Sequence, residues 1–142
     1  MPNIYNKKTF DRLIFENGGR LSAATFSTNV AVGASALSLN TTGQANVAIG
    51  RDALKCQNLN SASNNANVAV GYFAMAFNTT GCGNVALGTR ALLCNTTGNL
   101  NTAVGFLALG ANDTGNTNTA LGRYAMRNNT SGDCNTAVGL NA

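Results

Sequence analysis

The sequence is poor in the residues from which active sites are built. It has no histidine, no tryptophan, a single proline (Pro2) and only 10% charged residues over 142 positions, against roughly 25% in an ordinary globular domain. Without histidine, and without a CxxC pair, neither an imidazole base nor a zinc site of the usual kind can be assembled. Beyond residue 28 the only carboxylates are Asp52, Asp113 and Asp133, too scattered to form the pair that cleaves a glycoside except across subunits. No GxGxxG or GxxxxGK[ST] run follows a strand pattern, and the Asp-bearing nonapeptides of calcium-binding rolls are missing. The expectation is a protein that is not an enzyme, with no cofactor and no metal.

Long apolar runs are also absent. No stretch approaches the ~20 residues of a membrane span, and the opening MPNIYNKKTFDRL has charges where a signal peptide has its apolar core. The expectation is a complete product made in the cytoplasm, with no membrane anchor. The net charge of +4 divides evenly, about +2 before Asn29 and +2 after it, with no stripe of Lys and Arg such as a nucleic-acid surface needs. Nucleic acid is therefore not an expected partner. Low charge does not mean disorder here, because 44% of the chain is hydrophobic and the aliphatic residues recur at fixed positions.

What the chain does have is a repeat. The box Asn-x-Ala-aliphatic-Gly begins at Asn29, Asn46, Asn67, Asn84, Asn101, Asn118 and Asn135, at spacings of 17, 21, 17, 17, 17 and 17 residues. A period this short implies one small unit stacked on copies of itself, with a core that exists only through stacking. Residues 29–142 thus read as an all-β, parallel β-roll or β-solenoid of seven repeats, and residues 1–28 as a separate, non-repetitive segment.

Within the box, residues alternate with the period of a strand. The second position is Val or Thr, both β-branched and suited to a strand, and the fourth is always aliphatic (Val32, Ile49, Val70, Leu87, Val104, Leu121 and Val138). These two positions are expected to face the interior. The third position is always alanine: Ala31, Ala48, Ala69, Ala86, Ala103, Ala120 and Ala137. That small, apolar face is expected to be closely approached by another chain, three rolls packing around an axis to bury what a thin roll cannot bury alone. The following Ala-Leu or Ala-Met pairs are expected to form a second short strand with its large residue in the core, since six residues before the next turn are too few for a stable helix.

Asn-Thr-Thr-Gly and its variants close each coil at Asn40, Asn78, Asn95, Asn112 and Asn129. Asn and Thr satisfy local backbone groups there, and the glycine is expected to take a positive φ. The box asparagines are expected to stack as a ladder of amides. The turn QNLNSASNNA, which begins at Gln57, is four residues longer than the others and is expected to protrude as a loop. Cys56 and Cys94 fall two repeats apart, and Cys82 and Cys134 three. At the ~4.8 Å strand spacing such pairs exceed disulfide reach, so buried or half-buried free thiols are expected.

Residues 1–28 carry Tyr5, Phe10, Phe15 and Phe26. They are expected to cap the first coil, which solenoids need, and to act as an adaptor, with Tyr5, Phe10 and Phe15 docking the rod onto something larger.

The boxes NVAVG, NVAIG, NVALG and NTAVG resemble the Ser/Asn-Val-Ala-Ile-Gly motif in the heads of trimeric autotransporter adhesins. The longer phrase NTAVG…AL…NTTG is more similar still to repeats of phage tail-fibre-type proteins. The resemblance covers Asn29–Ala142 and implies a left-handed, homotrimeric roll. Against the adhesin pattern no secretion signal or membrane anchor is expected, and against the tail-fibre pattern no C-terminal chaperone domain. The function expected from it is a structural virion protein, a homotrimeric fibre, spike or decoration made in the host cytoplasm. Such a protein attaches to other virion proteins through residues 1–28 and contacts a host surface glycan. The alternative is an adhesin head on a bacterial surface that binds glycan or matrix. An ice-binding solenoid is disfavoured, because adjacent threonines in a turn do not both face one flat sheet surface.

Overall fold

The computed structural model describes residues 29–57 and 65–142. Seven strands of three residues lie within that range: β1 (Val30–Val32), β2 (Val47–Ile49), β3 (Val68–Val70), β4 (Val85–Leu87), β5 (Thr102–Val104), β6 (Thr119–Leu121) and β7 (Thr136–Val138). They form one parallel sheet in sequence order. Each residue pairs with its counterpart in the next coil, Ala86 with Ala103 and Leu87 with Val104. Parallel neighbours cannot be joined by a tight hairpin, so the remainder of each repeat serves as the return path. The chain is a β-solenoid, with no helix among the described residues.

The interior is the reverse of the expected one. Ala48, Ala69, Ala86, Ala103 and Ala120 are completely buried within the single chain, and Ala31 is nearly so; only Ala137, in the last strand, is part-exposed. The alanine column therefore cannot be the contact between chains. It faces a second alanine column (Ala36, Ala53, Ala74, Ala91, Ala108, Ala125) and the large residues Leu37, Leu54, Met75, Leu92 and Leu109, which together make the core. The physical reason is thickness. The far wall already projects a leucine or methionine into each coil, which leaves room for only a methyl from the strand.

That far wall is not a strand either. The Ala-Leu pairs lie in turns, and Leu37, Leu54, Met75, Leu92, Leu109 and Met126 all have φ near +50°, between 48° and 51°. A left-handed residue with a Cβ costs about 1–2 kcal/mol. Two gains offset it. The N–H of Leu92 donates to the Ala108 carbonyl of the next coil at 3.0 Å, and the buried leucine side chain contributes about 1.5–3 kcal/mol. The left-handed turn is what aims that side chain inward.

Glycine is required at two places in the coil for different reasons. Gly105, closing its box, has φ +131°, and a Cβ there would stand 2.5 Å from the Gly122 carbonyl oxygen. Gly98, closing Asn-Thr-Thr-Gly, does not have the expected positive φ. It is glycine because a Cβ would come within 2.4 Å of both Asn95 Oδ1 and the Gly115 carbonyl oxygen.

Asparagine ladders hold the coils together along the rod. In the box column the N–H of Asn101 donates to Asn84 Oδ1 (2.8 Å) and that of Asn118 to Asn101 Oδ1 (2.9 Å). The Asn84 and Asn101 side-chain amides donate to the turn carbonyls of Gly98 and Gly115. In the turn column Asn95 Nδ2 donates to Asn78 Oδ1, Asn112 Nδ2 to Asn95 Oδ1 and Asn129 Nδ2 to Asn112 Oδ1. Such amides are 0% exposed at Asn78, Asn84, Asn95, Asn101 and Asn112, and burial at this level is tolerable only because each is paired.

The coil with the longer turn is the exception. Gln57 stands where the other coils have asparagine, and its Oε1 accepts from both Asn67 Nδ2 and Asn78 Nδ2. Beside it, Asn46 Nδ2 and the whole Asn65 amide are buried without a hydrogen-bond partner. The strands on either side stay in register, Ala48 against Ala69. The protruding loop expected here falls mostly at 58–64, outside the described residues, as does the whole of segment 1–28 with Tyr5, Phe10 and Phe15.

Candidate assembly interface

With alanine turned inward, the second and fourth box positions turn outward. Val30, Ile49, Leu87, Leu121 and Val138 are exposed, Leu87 at 38%, and Val32, Val47, Val68, Val70, Val85 and Val104 are half-buried. Because all seven strands are in register, these side chains form two straight apolar columns on a face roughly 30 Å long at the ~4.8 Å strand spacing. Thr102, Thr119 and Thr136 continue the second-position column in the last three coils. A monomer rarely leaves an apolar face this continuous in water.

The edge that follows the strands is aromatic and basic. Tyr72 packs edge-on against Phe73 with ring centroids 4.6 Å apart, and Phe106 against Tyr124 at 5.4 Å. The Arg123 guanidinium lies 4.6 Å from the Tyr124 ring centroid, with Arg127 at 5.0 Å from the same ring. Arg51 and Lys55 both reach Asp52, at 3.3 and 3.4 Å. Arg90, Arg123 and Arg127 have no ion pair among the described residues.

The edge that precedes the strands is built of Asn, Thr and Asp. Thr79 Oγ1 donates to the Thr96 carbonyl, and Thr96 Oγ1 donates to Asp113 Oδ1. Two positions before the box asparagines, the Cys82 N–H donates to Asn99 Oδ1, the Asn99 N–H to Asn116 Oδ1 and the Asn116 N–H to Asp133 Oδ1. All four cysteines are free thiols. Cys56 and Cys82 are half-buried as expected, whereas Cys94 and Cys134 are exposed.

A shallow cavity of about 340 Å³ beside Tyr124, Met126, Arg127 and Asn141 is lined by no acidic side chain and no thiol. Among the described residues no group of His, Cys, Asp and Glu could hold a metal ion, and no helix is long and apolar enough to cross a membrane. The sequence pattern found the residues of the apolar face but put them on the wrong side. It missed the basic edge, because Arg90 lies 33 residues before Arg123 and aligns with the Arg123–Arg127 pair only through the stacking.

No family model matches the chain, and no curated protein or solved structure matches it either.

Proposed function

We propose that the protein is a structural element of a phage or virus particle: a homotrimeric fibre, spike or decoration without catalytic activity. In this reading residues 1–28 attach to other virion proteins and the solenoid projects toward a host surface glycan. The observation that carries the trimer is the outward face of Val30, Ile49, Leu87, Leu121 and Val138 on a solenoid whose interior is already filled. Three such faces around an axis bury their apolar columns against each other, and this replaces the alanine contact that the sequence pattern implied. The particle setting rests on the similarity of NTAVG…AL…NTTG to tail-fibre repeats.

Light scattering on the purified full chain tests the assembly: a mass three times that of the chain is expected, and a stable monomer overturns it. The double variant Leu87→Asp/Leu121→Asp should give a folded monomer, because both side chains face outward. For the setting, an antibody against the chain should label purified particles in electron micrographs. Labelling of intact bacteria instead would favour an adhesin head.

A further inference from the structure

The described charges are not spread around the coil. Counting from the box asparagine, Arg51 and Arg123 occupy the sixth position, Arg90 the seventh, and Lys55 and Arg127 the tenth. Arg51, Arg90 and Arg123 thus fall on the edge that follows the strands, and Lys55 and Arg127, one residue past the far-wall Leu54 and Met126, reach back to it, Lys55 to Asp52 at 3.4 Å and Arg127 to the Tyr124 ring at 5.0 Å. Asp113 occupies the thirteenth position and Asp133 the sixteenth, on the edge that precedes the next strand. The third carboxylate, Asp52, is buried and already engaged by Arg51 and Lys55. What remains is an unpaired positive edge (Arg90, Arg123, Arg127) on one side of the apolar face and a negative edge (Asp113, Asp133) on the other.

We infer that a second copy of the chain docks side by side, parallel and without axial shift, so that the Arg123–Arg127 edge of one protomer meets the Asp113–Asp133 edge of its neighbour. The inference rests on the trimeric reading above and adds the polarity of the contact. A contact between two different edges closes into a ring about an axis parallel to the rods, whereas an antiparallel two-fold pairing of the apolar faces would set like edges together. The axial levels also match. Arg123, Arg127 and Asp133 belong to one coil and Asp113 to the coil before it, a step of about 4.8 Å. An antiparallel neighbour would bring the first coils opposite these arginines instead. There the same edge carries Arg51 and Lys55, and Asp52 beside them is already engaged by both. The stacking of two guanidiniums on the Tyr124 ring concentrates positive charge where the neighbour's Asp133 would arrive. Complementary charge of this kind fixes orientation and register more than it adds affinity.

All four side chains are exposed, so they can be changed without emptying the core. The test compares assembly of the full chain in three variants: Arg123→Glu/Arg127→Glu, Asp113→Lys/Asp133→Lys, and the two combined. Light scattering over a dilution series gives the assembly midpoint, and circular dichroism confirms folding. Each single-edge reversal should raise the dissociation midpoint roughly tenfold or more, and the combined variant should recover most of the loss. A neutral variant, Asp133→Asn, keeps an amide oxygen for Asn116 and should fall in between. A wild-type trimer whose two single-edge reversals assemble equally well, or a combined variant that is weaker than either alone, would overturn the inference and leave the trimer standing. A wild-type chain that stays monomeric removes the trimer itself.

Discussion

Asn95 Nδ2 donates to Asn78 Oδ1 at 2.7 Å across the boundary between two coils, and neither side chain is exposed at all. The same Nδ2 group also donates to the Gly98 carbonyl at 2.9 Å, and Asn95 Oδ1 accepts from Asn112 Nδ2. One side chain thus ties three successive coils and shapes its own turn. Ordinary turn asparagines serve only their own loop; these also act as rungs.

Replacing Asn95 by leucine should therefore cost about 2–4 kcal/mol, because it strands buried groups on Asn78, Asn112 and Gly98. Asn65→Leu should be neutral or stabilising by up to about 1 kcal/mol, since the Asn65 amide is buried with nothing to pair. Urea denaturation of the two variants side by side measures the contrast, and equal losses would contradict the ladder account.

At Gly105 an alanine meets both a φ of +131° and the Gly122 carbonyl oxygen at 2.5 Å. Gly105→Ala should open the stack at that coil and speed hydrogen exchange in β5 and β6. Gly110→Ala should be milder. Its Cβ would meet the flexible end of Leu107 at 2.9 Å and the Leu107 carbonyl oxygen only at 3.1 Å, and the site has no positive φ.

Ala103→Leu should unfold the chain rather than merely separate protomers, because the extra methylenes enter a filled core and overpacking there costs about 1–3 kcal/mol or more. Loss of folded signal with Ala103→Leu, against retained folding with Leu87→Asp, is the pattern that distinguishes inside from outside. It is read by circular dichroism together with light scattering.

Leu100 has φ +57° and is 64% exposed, so it bears left-handed strain without the burial that compensates Leu92. Leu100→Asn should raise stability by about 0.5–1 kcal/mol, since asparagine tolerates this conformation. An increased urea midpoint at unchanged slope would report it.

The period, the single parallel strand in each box and the stacking of coils were all legible from residue spacing alone. The face assignment was not. Alternation says that Val85 and Leu87 share a side opposite Ala86, but not which side is inside, and the habit of turning the larger residue inward fails in a coil this thin. Leu92 decides the matter by filling the interior from the far wall. It does so from a left-handed turn that Ala-Leu pairs, good helix formers, do not advertise. The charge edges were equally hidden, because Arg90 and Arg123 fall on one edge, two coils apart, only when the coils are superposed.

Because each described strand pairs with the next at the same position, Ala86 with Ala103 and Ala103 with Ala120, any 17-residue coil presents the same top and bottom to its neighbours. Removing or duplicating one unit, such as residues 84–100, would change the rod by one pitch and leave its cross-section untouched. The fold therefore works as a ruler, whose length can drift through unequal recombination while its girth stays fixed. Among the described coils, the one bearing Gln57 interrupts the 17-residue spacing and so marks a particular place along it.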